Sequence, residues 1–187
     1  MKKGLIALGV VLLLVFMVAG SLTGRYNGFV TSNEQIDGAW AQVENVLQRR
    51  GDLIPNLVST VQGFADQERE IFIEVANARS RLAGAASPGE AAAANAGLTG
   101  SLGRLLAISE NYPQLRSNEN FIRLQDELAG SENRIAVERR RYNDAVRVFN
   151  TNVRQFPNNL MAGTFGFNSR EYFEADEAAQ EVPTVQF

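Results

Sequence analysis

Apolar residues fall along this chain in three patterns. The first is an unbroken run: the nineteen residues 4–22 carry no charge. As a helix rising about 1.5 Å per residue they cover about 28 Å, close to the thickness of a bilayer's hydrocarbon core. The second is a stripe at helical spacing. Phe29, Ile36 and Val43 recur every seven residues, with Trp40 and Leu47 on the adjoining row, which suits a helix packed against other helices. The third begins after Pro157. Residues 158–167 are apolar, aromatic and punctuated by glycine, an acidic stretch follows, and residues 182–187 are extended by composition.

Helix stops and starts divide the middle pattern. The first body helix is predicted to end near Arg50-Gly51. Asp52 then caps a second helix, with Pro55 in its first turn, where a missing N–H costs little; a kink in place of a full break is the alternative. The stripe continues as Ile54, Leu57, Val58, Val61, Phe64, Ala65, Ile71, Phe72, Val75 and Leu82, to about Ala83. Ser87-Pro88-Gly89-Glu90 reads as the next start: Ser87 is the cap, Pro88 the first helical residue, and Glu90 completes a capping box. That helix is Ala-rich, contains Gly97, Gly100 and Gly103, presents Leu98, Leu102, Leu105, Leu106 and Ile108 to a core, and ends around Asn111-Tyr112-Pro113. The longest helix begins near Ser117 and ends at Pro157. Phe121, Leu128, Ile135, Tyr142, Phe149 and Phe156 form its seven-residue row, with Leu124, Ala145, Val146 and Val153 beside it. Ser131 and Glu138 are read as rim positions on that helix, the alternative being buried polar contacts. The predicted chain is all-α: a membrane anchor over 1–24, a helical bundle over 25–156, and an apolar loop with an acidic tail over 157–187, packed on the bundle or on a neighbour. Gly24 and Gly28 form either a joint or a weak spot in one continuous helix, and the continuous helix is preferred.

The apolar run reads as a retained transmembrane helix. A cleaved signal is the main alternative, since Ala19 and Ser21 are small, but a signal's apolar middle is usually shorter, about 7–15 residues. A buried core helix is the third option. No cysteine follows that could carry a lipid. Lys2 and Lys3, the protein's only lysines, flank one side. The positive-inside rule then keeps the N-terminus in the cytoplasm and puts the body on the extracytoplasmic side of the cell membrane.

Composition narrows the chemistry. The body beyond the span has no His, Cys or Lys, so Cys nucleophiles, Lys Schiff bases, His general bases and His-ligated zinc are absent. No EF-hand, Walker A or dinucleotide fingerprint occurs. No catalytic residue, cofactor or metal is expected. From Arg25 to Arg170 sixteen arginines balance sixteen acidic residues, which argues against nucleic acid as a partner. Arg139-Arg140-Arg141 is the one basic cluster and reads first as a solvated or ion-paired helix face.

Several strings resemble the LemA family: Tyr26-Asn27; Gln48 through Val58, including Arg50-Gly51-Asp52 and Pro55-Asn56; Ala78-Arg79; and, most strongly, Glu110-Asn111-Tyr112-Pro113 through Arg139-Arg140-Arg141-Tyr142-Asn143 to Phe156-Pro157-Asn158-Asn159-Leu160-Met161-Ala162-Gly163 and Phe165-Gly166-Phe167. The closing Pro183-x-Val185-x-Phe187 also matches, and Phe149 stands where the family often has tyrosine. The resemblance implies a membrane anchor followed by an antiparallel four-helix bundle, and no catalytic set. It also implies a short N-terminus outside the cell, opposite to the charge count.

Two functions follow as expectations. The first is a structural or scaffolding protein, without catalytic activity, that self-associates at a membrane as a homo-oligomer. The second is an adaptor that binds another membrane or envelope protein through the apolar loop and acidic tail. The candidate contacts are Arg139, Arg140 and Arg141, the apolar Leu160, Met161, Phe165 and Phe167, and the acidic Glu174, Asp176 and Glu177. The acidic run is expected to meet the arginines of a neighbour or of its own chain. Membrane lipid is the remaining expected partner.

Overall fold

A computed structural model describes the chain from Lys2 to Glu174. Asp176, Glu177 and the stretch 182–187, expected to be extended, therefore lie outside the described residues. Every described element is helical: α1 (Lys2–Gln62), α2 (Arg69–Ala83), α3 (Pro88–Ile108), α4 (Pro113–Arg116), α5 (Glu119–Arg154) and α6 (Asn158–Phe165), with a 3-10 turn over Ser109–Asn111.

α1 runs as one helix from the apolar segment through Gly24 and Gly28. The stop expected at Arg50-Gly51 does not occur; α1 continues to Gln62 with Pro55 in its interior. A proline inside a helix removes one N–H and frees the carbonyl four residues back, here that of Gly51. Arg79 of α2 donates to that oxygen from Nε at 2.9 Å, so a side chain stands in for the missing backbone donor. The chain breaks instead over 63–68, where the amides of Phe64 and Ala65 both bond Val61 O, at 3.0 and 2.9 Å. Tyr112 fastens this turn: its hydroxyl accepts from Gln67 at 2.7 Å and donates to Glu68 at 3.3 Å.

Capping fixes the other starts. The Glu90 amide donates to Ser87 Oγ at 3.3 Å, while the Glu90 carboxylate reaches back to the Ala86 amide at 2.8 Å, one residue before the position a capping box uses. Asn118 caps α5 by accepting from the Phe121 amide at 3.1 Å. Along α5 the row Phe121, Leu128, Ile135, Tyr142 and Phe149 is buried, but Phe156 is 80% exposed. The helix ends at Arg154, so its periodicity no longer governs Phe156. Ser131 is buried rather than at the rim, its hydroxyl donating to Leu128 O at 2.7 Å. Glu138 is half-buried and pairs with Arg141 at 2.8 Å.

The chain forms two compact units. The first comprises residues up to Gly38 with Asp144–Arg170. Its core is Phe29 and Ile36 of α1, Val146, Phe149 and Val153 of α5, and Met161 and Ala162 of α6. The segment 158–167, expected as a loop, is mostly helix. Gly166 closes α6 at φ 78°, and the Phe167 amide bonds Ala162 O at 2.9 Å. This is a left-handed helix end of the kind glycine supports without a Cβ penalty. The second unit comprises Ala39–Asn143 with the tail from Glu171. Val43, Ile54, Leu57 and Val61 of α1, Phe72 and Val75 of α2, Leu98 and Leu105 of α3, and Phe121 and Ile135 of α5 fill it. Between α2 and α3, Glu74 accepts from Ser101 at 2.9 Å and pairs with Arg104.

Candidate functional site

In the first unit, α6 is held beside the end of the apolar run. Arg25 Nη1 donates to Asn158 Oδ1 at the start of α6. Tyr26 meets Phe165 at its end, ring centroids 5.1 Å apart, and Phe167 just beyond, at 5.8 Å. Phe167 also packs on Phe29 at 5.2 Å and Phe149 at 6.5 Å. These edge and tilted geometries suit the ring quadrupoles. Met161 is therefore core and Phe167 half-covered, whereas Leu160 is 64% and Phe165 49% exposed.

The second unit contains a polar centre that sequence reasoning missed. Arg50 is only 3% exposed. Its Nη1 donates to Asn95 Oδ1 at 2.6 Å and its Nη2 to Thr99 Oγ1 at 3.0 Å, and Nη1 pairs with Glu132. Its Nε has no hydrogen-bond partner among the described residues. Burial lowers the Arg50 pKa from its ordinary value, and the neighbouring Glu132 charge and its hydrogen bond oppose that shift. The pattern did carry this residue: 29, 36, 43, 50 and 57 form one seven-residue series, and Arg50 occupies its fourth place between Val43 and Leu57. Ending the helix at Arg50 hid it.

A cavity of about 400 Å³ opens beside this centre, lined in part by Asn95, Thr99, Glu132, Arg139, Phe173 and Glu174. Two candidate contacts, Arg139 and Glu174, thus line the same cavity. No ion pair joins them among the described residues. Arg140 is exposed, and Arg141 is taken up by Glu138. The basic cluster belongs to the second unit and the apolar residues of α6 to the first. Among the described residues no group of three acidic, His or Cys side chains is placed to hold a metal.

Two asparagines, seven residues apart on α5, grip the chain after α6. In the first unit Asn150 accepts from the Arg170 amide at 2.7 Å and donates to its carbonyl at 2.9 Å. The Arg170 guanidinium continues to Asn33 at 3.1 Å and to Asp37. In the second unit Asn143 accepts from the Phe173 amide at 2.9 Å and donates to its carbonyl at 3.4 Å, while the Tyr142 hydroxyl donates to Glu171 O at 2.8 Å. Side-chain amides here supply both partners that a neighbouring strand would supply.

Comparison with known proteins places these features in a group. The model of the LemA family matches residues 39–187. The chain is 29% identical to magnetosome protein MamQ 2 of Paramagnetospirillum magneticum, over 88% of this chain and 70% of that protein. It is 28% identical to magnetosome protein MamQ of Magnetospirillum gryphiswaldense, over 97% and 75%. It is 23% identical to protein LemA of Metamycoplasma hominis, over 82% and 71%.

Proposed function

The chain belongs to the LemA family, and from that premise we propose that it is a membrane-anchored structural protein that self-associates in the membrane and catalyses no reaction. The observation that carries this reading is the continuity of α1. Its first turns include a segment long and apolar enough to cross a membrane, and the same helix supplies Phe29 and Ile36 to a buried core without a loop between. Copies held this way share one plane, which raises their effective concentration for one another. The second unit offers a surface for such a contact. On α3 the outward Gly97, Gly100 and Gly103 face open space, so another helix can approach closely. Arg139 to Arg141 and the acidic tail are the charged contacts of this reading, and Lys2 and Lys3 orient the body to the extracytoplasmic side. Within the second unit the buried rows of α1, α2, α3 and α5 are taken as an antiparallel four-helix bundle. The names of the magnetosome relatives fit a non-catalytic, membrane-associated role.

The alternative is an adaptor for another membrane protein, favoured by the exposure of Leu160 and Phe165. The mass of the detergent-solubilised full chain separates the two. A large homogeneous particle is expected; a monomer that retains other proteins would favour the adaptor.

A further inference from the structure

The geometry points to a second membrane contact: α6, with Phe156 before it, lies in the bilayer interface. This rests on the reading that α1 crosses a membrane. Arg25 stands three residues past Leu22, the last apolar residue of the span, so it sits about 4.5 Å beyond the hydrocarbon edge along the helix axis. α6 is tied to that level at both ends, Asn158 to Arg25 and Phe165 to Tyr26. An eight-residue helix is about 12 Å long, yet its two ends meet adjacent residues of α1. α6 therefore lies across α1 rather than along it, which puts it near the plane of the membrane surface.

Its composition fits that place. Residues 155–169 contain no charged side chain, and Arg25, Arg154 and Arg170 bound the region. The inward face of α6 is already spent on the protein core, through Met161 and Ala162. The outward face is Leu160, Gly163 and Thr164, one helical stripe, with Leu160 64% exposed and Phe156 80%. Large apolar groups this exposed, at interfacial depth and with no charge to desolvate, match an interfacial helix. A second copy docking here would have to displace the lipid that the neighbouring span already holds at this depth.

The chain has no cysteine, so single labels can be placed cleanly in the full-length protein. Leu160→Cys and, separately, Leu12→Cys are labelled with an environment-sensitive fluorophore and reconstituted in phospholipid vesicles. These carry nitroxide lipids labelled either near the headgroup or deep in the acyl chain. Both side chains are exposed, and Phe156→Cys repeats the first measurement at an independent exposed position. The expected result is loss of emission at 160 to the shallow nitroxide with little loss to aqueous iodide, and loss at 12 to the deep one. Quenching at 160 by iodide but not by lipid overturns the inference and leaves the anchor intact. Protection at 160 from both quenchers means protein covers it, a second copy included, and also overturns it. No lipid quenching at 12 means the membrane reading itself has failed.

Discussion

The two compact units are centred on opposite chemistries. In the first, Phe29, Phe149 and Phe167 meet with centroids 5.2 to 6.5 Å apart, and one of its arginines, Arg170, stays near the rim with Asn33 and Asp37. In the second, a guanidinium lies in the same seven-residue series that supplies the apolar core, ligated from α3 and α5. Rings contribute through area and shape, with about 0.5–1.5 kcal/mol per pair beyond burial, and they tolerate small shifts. A buried guanidinium is stable only while its partners stay in place, because desolvation opposes it. The centre of the first unit is thus held by area, its hydrogen bonds lying around it. The second is also held to one register of α1, α3 and α5 by hydrogen bonds that only that register satisfies.

The hardest test of the difference is a disruptive substitution in each core. Ile135→Asp puts a carboxylate at a position 2% exposed in the second unit. An unpaired buried charge costs several kcal/mol, comparable to the whole stability of a domain. The helical signal of that unit should be lost at temperatures where the parent is folded, as read by circular dichroism in detergent. Melting within a few degrees of the parent would show that the α5 row is not core. Phe149→Ala, at a position 1% exposed in the first unit, costs about 3–5 kcal/mol. A two-step melt in that variant would mean the units unfold separately.

The next test turns on a reversal of expectation at the polar centre. Removing the half-exposed Glu132 should hurt more than removing the buried Arg50. Glu132→Ala strands a buried charge, for about 3 kcal/mol, the low end for a buried pair because Glu132 is itself 46% exposed. Arg50→Met deletes the charge and its desolvation and leaves Asn95 Oδ1 and the buried Glu132 Oε2 short of a partner, about 1–2 kcal/mol because the 46% exposed Glu132 side chain can turn to water. If Arg50→Met proves the more damaging, the hydrogen bonds of the guanidinium outweigh its desolvation, because methionine keeps most of the apolar stem.

The apolar half of this comparison was legible in the sequence and the polar half was not, for a physical reason. Burial of Ile36, Val43, Ile135 and Phe149 follows from spacing, because an apolar residue at a core position needs no partner. Burial of Arg50, Asn95 or Asn150 depends on groups from distant parts of the chain, and spacing cannot report those. The capping of α3 was legible because it is local. The length of α1 was not, because the donor that permits Pro55 sits 28 residues beyond Gly51, on another helix. The 158–167 segment failed differently: two glycines and a proline boundary suggested a loop, but tertiary burial of Met161 and Ala162 holds most of it as a helix.

The smallest expected effect tests that long-range account of α1. Arg79→Ala removes the donor to Gly51 O and should cost roughly 1 kcal/mol, since the bond is solvent-exposed and only its net worth is lost. The same cost would follow if Arg79 merely packed on α1, so the single variant decides little. Pro55→Ala supplies the discriminating arm. An alanine amide at 55 can bond the Gly51 carbonyl within the helix, which makes Arg79 redundant for that oxygen. In the Pro55→Ala background, Arg79→Ala should therefore cost nearly nothing, and the difference between the two backgrounds is the coupling energy of the pair. Equal costs in both backgrounds would show that Arg79 acts elsewhere. The interior proline of α1 would then be tolerated with its carbonyl left to water.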